Sequence, residues 1–220
     1  MKEYQINMKI VIIGLCMAVL NSCTSTPLSV RYYLLHTPEN KVSNTTLEAE
    51  PTATKSTETK TKAVLQSLDV ANYLQQSSLV MQVDQHQLYY SRQDVWAEKL
   101  QSSFYKALLQ DLNATSDRDY VASYSPSVSK AAVAISVKLE HFHATDSSTV
   151  ISSGQYWLSV NDPQTSKTGK SKQLATSSHS FFFESQLEQD GYAHAVEKLR
   201  ALVVGLSKQI EKDIAALPDN

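Results

Sequence analysis

Residues 131–143 read AAVAISVKLEHFH, residues 149–160 read TVISSGQYWLSV, and residues 174–184 read LATSSHSFFFE. In the first, Val133, Ile135, Val137 and Leu139 recur at every second position, and His141 and His143 continue the series. In the second, Tyr156, Leu158 and Val160 fall on one side and Trp157 on the other. A period of two is the mark of a strand with one buried face. Three long runs in succession, joined by polar loops, predict antiparallel neighbours in one sheet.

Working outward, the C-terminal segment changes period. Val196, Leu199, Val203, Leu206, Ile210 and Ile214 recur at three and four residues, with Asp190 as the expected N-cap. A second such stripe comprises Val95, Trp96, Leu100, Phe104, Leu108 and Leu112, with Ser91 and Asp94 spaced as a capping box. Shorter strands are expected at Val30–Leu35, Ala63–Val70, Ser78–Val83, Gln87–Tyr90 and Tyr120–Tyr124. The fold class read from this pattern is α/β: a single domain with a mixed, mostly antiparallel sheet flanked by two main amphipathic helices. Its limits are residues 30–217. Residues 36–62 interrupt it with a stretch rich in Thr, Ser, Glu, Lys and Asn, holding Pro38 and Pro51 and almost no large apolar residue. Such a composition cannot offset ordering entropy and reads as a disordered, low-complexity insertion.

The N-terminus settles the compartment. Lys9 precedes an apolar stretch, Ile10–Leu20, and Leu20-Asn21-Ser22-Cys23 follows the form of a lipobox. The apolar run falls well short of the ~20 residues a spanning helix needs. Residues 1–22 therefore read as a lipoprotein signal peptide, Cys23 as the lipidated residue, and residues 23–29 as a tether. Asn21 departs from the motif at its most permissive position, and Leu15 is too bulky to serve a rival site at Cys16. Met8 is an alternative start to Met1, since residues 1–7 add only a weakly charged preface. Thr24, rather than Asp, follows the cysteine and favours the outer membrane over the inner. The two cysteines of the chain are both accounted for, so no thiol remains for a disulfide, a metal or a nucleophile. Removing residues 1–22 takes Lys2, Lys9 and Glu3 and leaves 18 basic against 21 acidic residues, no footprint for nucleic acid.

Candidate chemistry is thin. His141 and His143 offer two imidazoles, but zinc needs a third ligand and no spacing supplies one. Gly169-Lys170-Ser171 ends like a phosphate loop, yet Gln164 stands where the motif wants glycine. No Gly-x-Ser-x-Gly elbow occurs, and Glu184 with Glu188 needs no catalytic role. The chain reads as a non-enzyme with no cofactor. Eleven tyrosines, with pairs at Tyr32-Tyr33, Tyr89-Tyr90 and Tyr156-Trp157, suit strand packing and a protein interface.

The order of these features resembles the ABC-type transport auxiliary lipoproteins of the PqiC/YmbA kind. The resemblance is carried by Tyr32-Tyr33-Leu34-Leu35 soon after the cysteine, by Val70–Leu74 (VANYL), and by Val95–Leu100 (VWAEKL), read as opening the first helix. A Tyr156-Trp157-Leu158 strand and a C-terminal amphipathic helix complete it. The family-motif residues are Tyr33, Leu35, Tyr73, Leu74, Trp96, Glu98 and Trp157; Ala71, Gln82 and Lys99 depart from the family's usual pattern. The resemblance implies an outer-membrane lipoprotein on the periplasmic side, docking an MCE-domain protein that spans the periplasm, beside an inner-membrane multi-pass protein, in lipid transport that supports envelope integrity. It also implies a homo-oligomer. A free-standing lipid- or ligand-binding lipoprotein is the second reading, and an envelope hydrolase the third.

Overall fold

The computed structural model describes residues 29–36, 62–128, 131–161 and 173–217. The segments expected to be the signal peptide, the lipobox with Cys23 and, in residues 37–61, most of the insertion lie outside the described residues, as does the Gly169-Lys170-Ser171 loop. Within the described residues the chain forms β1 (Arg31–Tyr33), β2 (Lys62–Val70), a 3-10 turn (Asn72–Leu74), β3 (Ser78–Asp84) and β4 (Gln87–Trp96). Then come α1 (Leu100–Thr115), β5 (Asp119–Ala122), β6 (Val133–Thr145), β7 (Thr149–Asn161), β8 (Gln173–Gln186) and α2 (Tyr192–Ala215).

The three long runs are antiparallel neighbours, β6 with β7 and β7 with β8. The free edge of β6 takes two parallel partners in turn. β2 runs along its start, from Ala63 opposite Val133 to Val70 opposite Leu139, and β3 meets its end, with Met81 opposite Ala144. β5 extends β2, while β4 and then β1 extend β3, giving one open mixed sheet of eight strands.

Both helices lie over one face. Leu100, Phe104, Leu108 and Leu112 of α1 join Val203, Leu206, Ile210 and Ile214 of α2 against Ile135, Val137, Leu139, Tyr156 and Leu158, all buried in one cluster. Each such side chain contributes roughly 1.5–3 kcal/mol through burial. Between the helices, Arg200 clamps the buried Asp111 with two bonds of 2.5 Å.

Three local expectations are corrected. Val95 and Trp96 are not helical; they end β4 and pair with Tyr32 and Tyr33 of β1. Helix α1 begins at Leu100, with Lys99 at its N-cap. The four-residue step from Trp96 to Leu100 imitated a helix because the strand partner lies more than sixty residues away, where a local period cannot register it. Ser91 and Asp94 make one bond of a capping box, Asp94 N–H to Ser91 Oγ at 2.9 Å; the second joins the side chains instead, Ser91 Oγ–H to Asp94 Oδ2 at 3.1 Å. They do so inside an irregular stretch of β4, between the pairs Val80–Tyr90 and Ser78–Val95. The predicted four-residue strand at Gln87–Tyr90 therefore continues to Trp96.

The second correction concerns the histidines. Register slips between Leu139 and His141, which face Gly154 and Ser153 respectively, so Glu140 is an extra residue in β6. A bulge reverses which side the following residues face. Phe142 and Ala144 take over the core face, and His141 and His143 turn to the opposite one. The third is the start of α2: Gly191, at φ 110°, is the N-cap, one residue after Asp190.

Candidate functional site

The family-motif residues occupy three places. Tyr33, Leu35, Trp96 and Glu98 gather where β1 meets β4 and the start of α1. Asp94, only 2 % exposed, accepts from Arg31 Nε at 2.8 Å and from the Tyr33 hydroxyl at 3.0 Å. Burial and this carboxylate both raise the Tyr33 pKa, so its hydroxyl stays a donor. Leu35 is buried, and its N–H donates to Ser103 Oγ at 3.2 Å. Trp96 stacks on Phe142, which meets Phe104 edge-on at 5.2 Å. Glu98 pairs with His36 at 3.1 Å and Lys106 at 2.6 Å. This cluster fastens the first strand to the body of the protein.

Tyr73 and Leu74 occupy the turn after β2. Leu74 is core, but the Tyr73 hydroxyl donates to the carbonyl of Glu140 at 2.9 Å. It thus supplies a partner to the bulge residue, and its ring lies against His141 and His143. Burial pushes the Tyr73 pKa upward and the His143 pKa downward, so both stay neutral here. His143 Nδ1 lies 3.0 Å from the Ala144 carbonyl, and His141 Nδ1 lies 2.9 Å from Ser153 Oγ. The two imidazoles do not converge on a metal: among the described residues no group of three or more His, Cys, Asp or Glu could hold one.

Trp157 stands on the face that the helices leave open. Register across β6, β7 and β8 orders this face in rows: Ser136–Trp157–Ser178, Lys138–Gln155–Ser180, His141–Ser153–Phe182 and His143–Ile151–Glu184. Trp157 is half-buried and Phe182 is 64 % exposed, so two large rings rise from a bed of short hydroxyl and amide side chains. Sequence reasoning placed Trp157 here but missed Phe182 as a surface group. The signal was parity: Phe181 and Phe183 pack inward and force the ring between them outward.

On the covered side, polar groups are spent on holding α2. The Tyr156 hydroxyl donates to Asp213, which also lies 3.3 Å from His179, and Tyr156 stacks on His179 at 5.0 Å. The Tyr120 hydroxyl donates to Glu211, which Arg118 approaches at 3.3 Å. Burial and the neighbouring carboxylates raise both tyrosines' pKa values. Two depressions open to solvent. One, of about 400 Å³, is lined by Asp69, Gln101, Tyr105 and Lys106 among others. The other, of about 340 Å³, lies between Met81, Asp146, Leu187 and Tyr192. No helix among the described residues is long and apolar enough to cross a membrane.

An open mixed sheet with both helices on one face defines a single-domain α/β fold. The chain belongs to the family of ABC-type transport auxiliary lipoprotein components, whose model matches residues 46–211. The match covers five of the seven motif residues; Tyr33 and Leu35 precede it. The family is a transport auxiliary component of the cell envelope. No curated protein matches the chain in sequence. Among solved structures, the crystal structure of an uncharacterized protein superposes with a TM-score of 0.63 at 19 % identity, covering 84 % of this chain and 99 % of the other. A Xanthomonas campestris protein of the DUF330 family gives 0.50 at 8 % identity, covering 69 % and 81 %. These two likenesses establish a shared fold.

Proposed function

We propose that this protein is a lipid-anchored docking subunit of an MCE-type intermembrane lipid transport system. Cys23 holds it at the periplasmic face of the outer membrane, and it has no catalysis of its own. The partners are the periplasm-spanning MCE-domain protein and, through it, a multi-pass protein of the inner membrane. The observation that carries this reading is the family match over residues 46–211, a transport auxiliary lipoprotein component. The lipobox Leu20-Asn21-Ser22-Cys23 and Thr24 agree with it. The open β6–β7–β8 face is assigned to the partner's end. Rings standing among small polar residues, with few charges, are the composition of a protein contact.

The test is envelope fractionation of Cys23→Ser with cross-linked pull-down of the wild type. The reading expects the wild type in the outer-membrane fraction, carrying a large MCE-domain partner, and the variant unprocessed or displaced. Trp157→Ala with Phe182→Ser should keep the anchor and weaken capture at least tenfold, since central aromatic contacts each contribute about 2 kcal/mol or more. Stoichiometric bound lipid and no partner would assign the protein to a carrier instead.

A further inference from the structure

Six large apolar side chains are exposed among the described residues: Val30, Tyr32, Leu34, Tyr89, Tyr124 and Phe182. Three of them fall at alternate positions of one five-residue stretch around β1, at 43 %, 70 % and 52 % exposure for Val30, Tyr32 and Leu34. Their neighbours turn inward: Arg31 and Tyr33 reach Asp94, and Leu35 enters the core. Alternation therefore puts the apolar three together on the helix-free face of β1, an edge strand that among the described residues pairs with β4 alone. Scattered exposed apolar residues need no explanation, but a contiguous stripe on an edge strand does.

The position of the stripe in the chain names its occupant. Val30 lies seven residues beyond Cys23, and seven residues span at most about 25 Å fully extended. β8 forms the opposite margin of the sheet, five strand spacings away, about 24 Å. The stripe is thus at the margin nearest Cys23 along the chain, and Phe182 stands at the far one, on the same helix-free face. Its chemistry suits the polar–apolar boundary of a bilayer: two aliphatic side chains flank a tyrosine whose hydroxyl remains in water. The acid paired in register with Arg31, Asp94, is already neutralised by it.

We propose that the Val30–Tyr32–Leu34 face rests in the headgroup–acyl boundary of the bilayer to which Cys23 is lipid-linked. This rests on the anchor reading above. A stripe this small would bind a membrane weakly if free in solution; tethering raises its local concentration enough to keep it seated. The domain is then held in one orientation relative to the bilayer.

The test uses full-length lipidated protein in phosphatidylethanolamine–phosphatidylglycerol vesicles, with plain or dibrominated acyl chains. Tyr32→Trp is the reporter, Tyr124→Trp the control at an exposed site remote in sequence, and the wild type supplies the background of Trp96 and Trp157. Flotation is scored first. In floated protein, Trp at 32 should be quenched about twofold by brominated lipid, as a ring seated at acyl depth would be, while Trp at 124 is not. Adding Val30→Ser and Leu34→Ser should abolish the quenching without releasing the protein. Floated protein with an unquenched Trp at 32 overturns the proposal and leaves the anchor intact. A spectral shift at 32 that needs a protein partner or a second copy, without quenching, overturns it equally. Protein that fails to float refutes the anchor reading and this inference with it.

Discussion

Gly154→Ala is the sharpest test of the bulge in β6. A Cβ at position 154 would stand 2.1 Å from the carbonyl oxygen of Lys138 and 3.1 Å from the Phe181 ring. Ordinary carbon–oxygen contact needs more than 3 Å, so the strands must part by about 1 Å. The obstacle is backbone, not the end of a flexible side chain, and β6 is pinned on its other edge by β2 and β3. Relief means loosening one or two ladder bonds at about 1 kcal/mol each, on top of about 1–2 kcal/mol of overpacking. The expected cost is about 3 kcal/mol, or a fall in Tm of about 6–12 °C for a domain of this size. Urea unfolding followed by circular dichroism reads it as a lower midpoint at unchanged slope. Gly205→Ala is the matched control. There the new Cβ meets Phe183 at 3.6 Å, an ordinary contact, inside a long helix. That change should stabilise by about 0.5–1 kcal/mol. A loss below about 1 kcal/mol at 154, or the same sign at both glycines, would refute the close approach that the bulge imposes.

Three more outcomes are expected. Asp111→Ala strands the Arg200 guanidinium between the helices and should cost about 3 kcal/mol in chemical denaturation; Asp111→Leu with Arg200→Met should restore most of it. Ser148 turns the β6–β7 hairpin at φ 57°. Ser148→Gly should raise stability by about 0.5–1 kcal/mol, the left-handed cost removed less the extra freedom of the unfolded chain, measured as a shift in thermal midpoint. His143 has its pKa lowered by burial, so the unfolded state binds its proton first. Its contribution is intact above the ordinary histidine value of about 6.5 and is lost as pH falls below it; His143→Gln should flatten stability between pH 7 and pH 5 in parallel urea titrations.

Much of this fold is legible in local pattern, for identifiable reasons. The period of two in residues 131–139 and 149–160 and the period of three to four in 196–214 each arise from burial on one face, which any window of a dozen residues reveals. The β6–β7–β8 meander followed from three adjacent runs. Failures occurred where a distant or single-residue event decides. Val95 and Trp96 answer to β1, not to their neighbours. Glu140 adds one residue and sends two histidines to the other face; the cue was Gly154, a strand glycine, which often marks such a departure. The parallel pairing of β2 and β3 with the same edge of β6 leaves no trace in any short window. At the candidate surface, Trp157 was readable from alternation, whereas the roles of Tyr73 and Phe182 depend on the bulge and on strand parity.

β2 and β3 never pair with each other; each waits for β6. Until residue 133 and its successors are available, the described part of the first half of the chain forms two unjoined ribbons, β2 with β5 and β3 with β4 and β1. Neither has the long partner that would close it against a helix. Assembly is therefore late and governed by contacts distant along the chain, the regime of slow folding. A nascent or truncated protein ending before β6 should expose strand margins ready for misplaced pairing, which makes this one strand the point where cellular quality control decides the molecule's fate.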